Sequence, residues 1–264
     1  MCSSLALLAL LALPSLLLLL TRAGGSVLPR NPAVITLGNG VERVALADLA
    51  RPPDWAPLLA GMQYVVHLAG IAHAHGVDAE YLYRRVNAEA VAELARAAHG
   101  KVKRFVFISS ARAQTGLSSE QTICEGLPPA PIDAYGRSKL MGEELLSKSD
   151  VPFTILRPTL TYGRGVKGNV ARLARLAKMP LPIPFGGLNN RRSLLARENL
   201  AAAIELVLIS ERAEGEVFLV SDAEPITVAE MIVVMRDGLG RDPGLVPLPP
   251  EFLSRLMHWL GKSS

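Results

Sequence analysis

The chain has 264 residues, half of them apolar and one fifth charged, enough for one large domain or a domain with a smaller lobe. That apolar content, with both charge signs interspersed, excludes a disordered, collagen-like or low-complexity chain. Lys and Arg outnumber Asp and Glu by 28 to 24, and the surplus of four is too small and too scattered to make a case for nucleic acid.

Residues 5–20 (LALLALLALPSLLLLL) are almost wholly apolar. The run is short of the roughly 20 residues that cross a bilayer. Pro14 and Ser15 interrupt it, and no basic residue precedes it as in an export signal. We read it as a buried helix opening the domain, closed by a turn at Gly24 and Gly25. The alternative is a membrane anchor or signal, with Arg22 and Arg30 behind it.

Short apolar runs and longer periodic segments then alternate. Residues 33–37 (AVITL) and 43–46 (RVAL) read as strands, separated by a turn at Gly38-Asn39-Gly40. Residues 64–68 (YVVHL) and 104–109 (RFVFIS) are continuous apolar runs of the kind buried on both faces of a sheet. Between them, Leu82, Val86, Ala90, Val91, Leu94 and Ala98 recur at helical spacing, and Gly100 stops the helix. A second helix over 134–146 precedes a strand over 152–156. Such alternation predicts right-handed βαβ units, with ligands at the carboxyl ends of the strands.

Past residue 160 prolines and paired glycines break the chain into loops. Helices are expected over 198–208 and 228–239, the latter opened by Thr227 and Glu230 in capping-box spacing. A returning strand is expected over 216–220 and a last amphipathic helix over 251–260. The predicted fold class is α/β: a Rossmann-type parallel sheet flanked by helices, with a small mixed C-terminal lobe. Its parts are an atypical apolar segment (1–24), a large lobe (25–160) and a second lobe (161–264).

Tyr135 and Lys139 are four apart, so on a helix their head groups share one face. An ammonium beside a phenol lowers the phenol's pKa and makes it an acid–base group for a carbonyl or alcohol. Upstream, a strand ends in Ser109-Ser110, whose hydroxyls would reach the ligand side of the sheet. The preceding strand ends in His67-Leu68-Ala69-Gly70, a small-residue turn that lets backbone approach a ligand. His67 itself reads as a packed strand residue. Cys2 and Cys124 lack metal-ligand spacing and fit a reducing, cytoplasmic setting; no metal is expected.

The segments HLAG (67–70), VNAEAVAELARAA (86–98), KRFVFISS (103–110), DAYGRSKLMGEELL (133–146), ILRPTLTYGRGVKGN (155–169), NRRSLLARENLAAAI (190–204) and FLVSD (218–222) resemble the extended short-chain dehydrogenase/reductases of the UDP-glucose 4-epimerase family. Residues 165–222 are most similar to a bacterial branch of UDP-N-acetylhexosamine epimerases and 4-keto reductases used for surface polysaccharides. The resemblance implies NAD or NADP as cofactor, with Arg30 a candidate for favouring NADP, and a UDP-sugar as substrate. It makes Tyr135 the acid–base residue, with Lys139 holding the nicotinamide ribose and Ser110 assisting. Asp48 and Leu49 would meet the adenine end; Ala69, Gly70 and Ser109 would line the cleft, and Asn87 would support it. Lys167, Asn169 and Arg192 would meet the sugar nucleotide, Arg192 through its diphosphate. A second copy of the chain is a further candidate partner.

The pattern departs from the family in three places. The family's GxxGxxG turn should fall near Leu7, Leu10 and Leu13, yet no glycine precedes Gly24. Either the first 20–25 residues are read in a shifted frame, or cofactor binding has been lost and the chain is a non-catalytic nucleotide- or protein-binding relative. Ala111 stands where epimerases place a Ser or Thr. The chain also ends about 40 residues before relatives do, so the second lobe is expected to be incomplete.

Overall fold

The computed structural model describes residues 49–248 except 52, 53, 75, 117, 120, 164 and 167, together with strand segments 7–11, 17–21, 34–37 and 41–45. Arg30, Asp48, Lys167 and the expected helix at 251–260 lie outside the described residues. Two compact units are present, one of residues 1–159 and 200–220, the other of residues 160–199 and 221–264. Residues 200–220, which the sequence reading grouped with the second lobe, belong to the first, because a returning strand completes its sheet there.

The first unit is built on β1 (Leu7–Leu11), β2 (Leu17–Thr21), β3 (Val34–Leu37), β4 (Val41–Ala45), α1 (Ala56–Leu59) and β5 (Tyr64–His67). Next come α2 (Ala79–Arg84), a π-helical stretch (Arg85–Glu89), α3 (Ala90–Ala98), β6 (Arg104–Ile108) and α4 (Ala111–Gln114). Helix α5 (Ala134–Ser147) leads to β7 (Phe153–Pro158), and after the second unit's first segment the chain returns as β11 (Val217–Val220). The sheet order is β11-β7-β6-β5-β1-β2-β4-β3.

From β11 to β1 neighbouring strands are parallel. From β1 through β2 and β4 to β3 they are antiparallel. This corrects one expectation. The apolar run at 5–20 is two five-residue strands, not a helix: Pro14 and Ser15 divide it into halves too short for a stable helix, and β1 pairs along β5 from Leu7 opposite Tyr64 to Leu10 opposite His67. The expected parallel sheet is present from β11 to β1, and three further strands extend its edge in antiparallel fashion. Only residues 12–16 join β1 to β2, and a parallel crossover needs about a dozen, so the chain must reverse.

Side chains alternate across the central strands. Val65, Phe105, Phe107 and Ile155 face one layer with Leu59 of α1, Val91 and Leu94 of α3, and Leu146 of α5. Tyr64, Val66, Val106, Ile108 and Leu156 face the other, with Val207 and Leu208 of α7 (Arg197–Ile209). Burial on both faces explains why these strands read as continuous apolar runs. Gly100 ends the α3 segment at φ +67°, a conformation that disfavours side chains.

The second unit holds β8 (Leu160–Tyr162), α6 (Gly168–Ala177), β9 (Arg191–Arg192), β10 (Leu194–Ala196), β12 (Ile226–Thr227) and α8 (Val228–Asp237). Strands β8 and β10 pair in parallel, and β9 and β12 antiparallel. Thr227 and Glu230 form the expected capping box. Buried Arg236 on α8 donates to the carbonyls of Ala177, Met179, Leu181 and Pro243, which ties the end of α6 to the loop after α8. Among the described residues no helix is long and apolar enough to cross a membrane.

Candidate active site at the carboxyl ends of the parallel strands

Helix α5 starts at Asp133, whose Oδ1 accepts the Gly136 amide at 2.8 Å, a cap that fixes the first turn. The helix lies unusually close to the π-helical stretch. A Cβ on Gly142 would stand 2.5 Å from the Asn87 carbonyl oxygen, and one on Gly136 would collide with the Arg112 carbonyl. These two glycines let Tyr135 and Lys139 reach the ends of β5 and β6.

Lys139 is 3% exposed. Its Nζ donates to the Ile108 carbonyl at 2.7 Å and stands 4.2 Å from the Phe107 ring centre. Burial pushes its pKa down to about 7, against the opposing pull of Glu143. Asn87 is fully buried in the π-helical stretch, an irregularity that often marks functional positions. Its Oδ1 accepts the Ile71 amide at 2.9 Å, and its Nδ2 donates to Ile71 O and to Ser138 Oγ. Ser138 Oγ in turn donates to the Tyr135 carbonyl at 2.7 Å. A Cβ on Gly70 would lie 3.0 Å from Asn87 Oδ1 and 3.7 Å from Lys139 Nζ, so the turn after β5 closes directly on these groups.

Tyr135 is half-buried. Its pKa is raised: burial is the largest cause, opposed by a side-chain hydrogen bond with Ser110 and by the charge of Arg112, and supported by Asp133 and Tyr83. The net direction is upward because burial outweighs the charges around it, whereas the sequence reading has Lys139 lower the phenol. Lys139 Nζ donates to the Ile108 carbonyl, and Arg112 is a cation that favours the ionised phenol. Ser110 also caps α4, accepting the Arg112 amide at 3.2 Å. Ala111 opens α4.

Behind the site, Ser109 Oγ donates to Glu143 Oε1. Glu143 pairs with Arg157, whose Nε lies 3.0 Å from Oε1 and whose second terminal nitrogen lies 2.5 Å from Oε2. Arg157 also donates to Gln114 Oε1, and Gln114 Nε2 donates to the carbonyls of Cys124 and Leu127. The sequence reading missed Arg112, Gln114, Glu143 and Arg157. Only Glu143 left a signal, as an acidic residue one turn past Lys139 on the same helix face. His67 is fully buried against Phe105 and Phe107. Burial first, and Lys139 second, hold its pKa down at about 3, so it is a neutral packed ring, as expected.

The structure brings Gly70, Asn87, Ser109, Ser110, Tyr135 and Lys139 together in the first unit. Ala69 and Leu49 are buried in the hydrophobic layer of α1 and α3. Leu49 is 3% exposed, so of its groups the backbone is the one open to the adenine contact expected there. In the second unit Asn169 lies exposed in the first turn of α6, and Arg192 is exposed on β9 opposite Ile226. Among the described residues no group of three or more His, Cys, Asp or Glu side chains could hold a metal ion.

A central parallel sheet between helical layers, with a Tyr–Lys pair and strand-end serines at its carboxyl edge, defines a Rossmann-type protein of the short-chain dehydrogenase kind. The profile of the NAD dependent epimerase/dehydratase family matches residues 9–221, and the chain belongs to that family. It is 36% identical over 219 residues to the UDP-glucose 4-epimerase of Vibrio cholerae, covering 77% of this chain and 65% of that protein. It is 28% identical to the N-acetyl-alpha-D-glucosaminyl-diphospho-ditrans,octacis-undecaprenol 4-epimerase of Escherichia coli O157:H7, covering 72% and 59%. The chain thus spans less than two thirds of the length of either relative. Among solved structures, UDP-glucuronic acid 4-epimerase from Bacillus cereus in complex with NAD superposes with a TM-score of 0.64 at 24% identity, covering 76% of this chain and 68% of that one. The Bordetella bronchiseptica enzyme WbmG in complex with NAD and UDP gives 0.58 at 26%, covering 73% and 65%.

The site's fit to a dinucleotide differs between its two ends. At the nicotinamide end, Lys139 has one acceptor among the described residues, Ile108 O, leaving ammonium donors for ribose hydroxyls, and Gly70 keeps that approach free of a side chain. The diphosphate of a dinucleotide ordinarily rests on the helix N-terminus that follows the first strand. Here five residues lead from β1 into antiparallel β2, so this part of the chain does not supply the usual cradle.

Proposed function

We propose that this chain acts as an NAD-dependent enzyme at C4 of a UDP-sugar, a 4-epimerase or 4-keto reductase for UDP-glucose or a UDP-N-acetylhexosamine, in the synthesis of surface-polysaccharide sugars. The observation that carries the reading is Tyr135 one helical turn from Lys139 on α5, with Lys139 Nζ held on the Ile108 carbonyl at the end of β6. Both named relatives are 4-epimerases, and the WbmG neighbour is a complex with NAD and UDP. A bound nicotinamide supplies hydride transfer at the sugar carbon. Tyr135 takes the C4 hydroxyl proton and returns it, Ser110 steadies the reacting oxygen, and Lys139 holds the ribose. Lys167, Asn169 and Arg192 are the proposed contacts for the nucleotide sugar, Arg192 for its diphosphate.

The β1–β2 hairpin favours a second reading, a non-catalytic relative that binds a nucleotide or a protein. Calorimetric titration of the full chain with NAD and NADP, followed by an epimerisation assay on UDP-glucose and UDP-N-acetylglucosamine, separates the two. The enzyme reading expects dinucleotide binding and turnover, with Tyr135→Phe reducing turnover by about 100-fold or more while binding persists. A folded chain that binds neither dinucleotide and turns over neither sugar overturns it.

A further inference from the structure

We propose that the outer side of α6 and the turn that follows it form a docking surface for a membrane carrying anionic lipid headgroups. This goes beyond the reaction at the Tyr135 site and uses none of its residues.

Residues 160–197 hold eight of the chain's 28 Lys and Arg and none of its 24 Asp and Glu. The cations are spaced singly, so no basic run marks them in the sequence, and the fold decides which of them share a surface. Arg172 and Arg175 on α6 and Lys178 just past it recur every third residue and are all exposed, so they lie along one side of the helix. Val170 and Ala177 are buried on the other side. None of the three cations forms an ion pair among the described residues.

The turn after α6 presents apolar side chains beside these charges. Met179 is 44% exposed and Leu181 58%, and Pro180 and Pro182 keep this stretch from continuing the helix. Buried Arg236 donates to the carbonyls of both Met179 and Leu181, which holds the turn to α8 with its side chains outward. Arg241 donates to the Lys178 carbonyl and adds a fourth cation. Val246, also exposed, follows on a segment whose amide bonds the Ile183 carbonyl at 2.9 Å. Asp237 and Asp242 flank Arg241 and offset part of the charge; α6 and its turn carry no acidic residue.

Cations around exposed apolar tips match the boundary of an anionic bilayer, where phosphates meet the charges and the apolar tips enter the acyl region. A soluble polyanion would satisfy the charges and leave Met179 and Leu181 in water. The apolar run at 5–20, the sequence's own candidate anchor, is taken up by the sheet as β1 and β2. Each cation held near such a surface contributes about fivefold in partitioning, and salt screens it.

The test is co-sedimentation of the full chain with phosphatidylcholine vesicles and with vesicles that also contain phosphatidylglycerol. Binding is expected only with phosphatidylglycerol, falling about tenfold or more between about 0.05 M and about 0.5 M salt. Arg172→Gln/Arg175→Gln/Lys178→Gln is expected to weaken it about 100-fold, and Met179→Ser/Leu181→Ser about tenfold. The control Arg96→Gln/Lys101→Gln/Lys103→Gln removes the same charge from exposed positions of the first unit and should stay within about threefold of the parent. If the α6 variant does not fold, the parent's lipid and salt dependence and the Met179→Ser/Leu181→Ser variant decide. Absent binding, equal binding to both vesicle types, an unchanged Met179→Ser/Leu181→Ser variant, or an equal loss in the control overturns the proposal. Retention on heparin without vesicle binding overturns it too and assigns the face to a soluble polyanion. The measurement uses neither sugar nor NAD: a chain without epimerase activity leaves it standing, and a chain that ignores vesicles leaves the proposed function standing.

Discussion

Replacing Arg157 by Met would remove the cation from the most deeply buried ion pair among the described residues while keeping an unbranched side chain of similar reach. Glu143 and Arg157 are 4% and 5% exposed. In the variant the Glu143 carboxylate keeps the Ser109 hydroxyl but loses its guanidinium contacts at 3.0, 3.2 and 2.5 Å, and Gln114 loses a donor. Leaving a buried charge without its partner costs about 3–5 kcal/mol. For a body of this size that is a fall in Tm of about 6–20 °C, read by circular dichroism at neutral pH. The paired variant Glu143→Leu/Arg157→Met, with neither charge, should recover most of the loss, because the penalty belongs to the orphaned carboxylate. A single variant within about 2 °C of the parent, or a double variant no better than the single, would refute the reasoning and make the pair a solvated contact of little worth.

Two further outcomes follow from the same site. Because burial holds Lys139 at about 7 instead of 10.5, the unfolded chain binds more protons than the folded one between those values, so this residue adds stability as pH rises through that window. The Tm advantage of the parent over Lys139→Met should therefore widen from about pH 7 to about pH 9.5, and a constant difference would contradict the burial assigned to Nζ. Gly142→Ala would press a methyl group against the Asn87 carbonyl at 2.5 Å and the Phe107 ring at 3.2 Å, at a cost of about 1–3 kcal/mol or about 2–12 °C in Tm. Gly126→Ala, which meets nothing within 4 Å, is the control; equal melting of the two would show that α5 has room to move.

Much of the fold was legible because burial on both faces leaves a plain mark. The runs at 64–67 and 104–108 are unbroken by polar residues other than His67 and Arg104, and the helix between them shows its inward residues at regular spacing. Tyr135 and Lys139 were legible for a related reason: a helix turns a spacing of four into adjacency. The run at 5–20 was not. Leucine suits a buried helix or a buried strand equally, and periodicity cannot separate them in so short a segment. What decided it was a neighbour, the free edge of β5, which pairs with β1.

By itself, then, the sequence determined the βαβ alternation, the capping of α8 and the pair of residues on α5, all consequences of contacts within about one helical turn or one strand. Only the tertiary structure decided which charges act on them. Arg112 reaches Tyr135 from a separate four-residue helix, and Glu143 meets Arg157 from the next strand. Whether a charge is felt depends on its distance through the packed interior and on the water removed around it, and neither quantity can be read from positions along a chain.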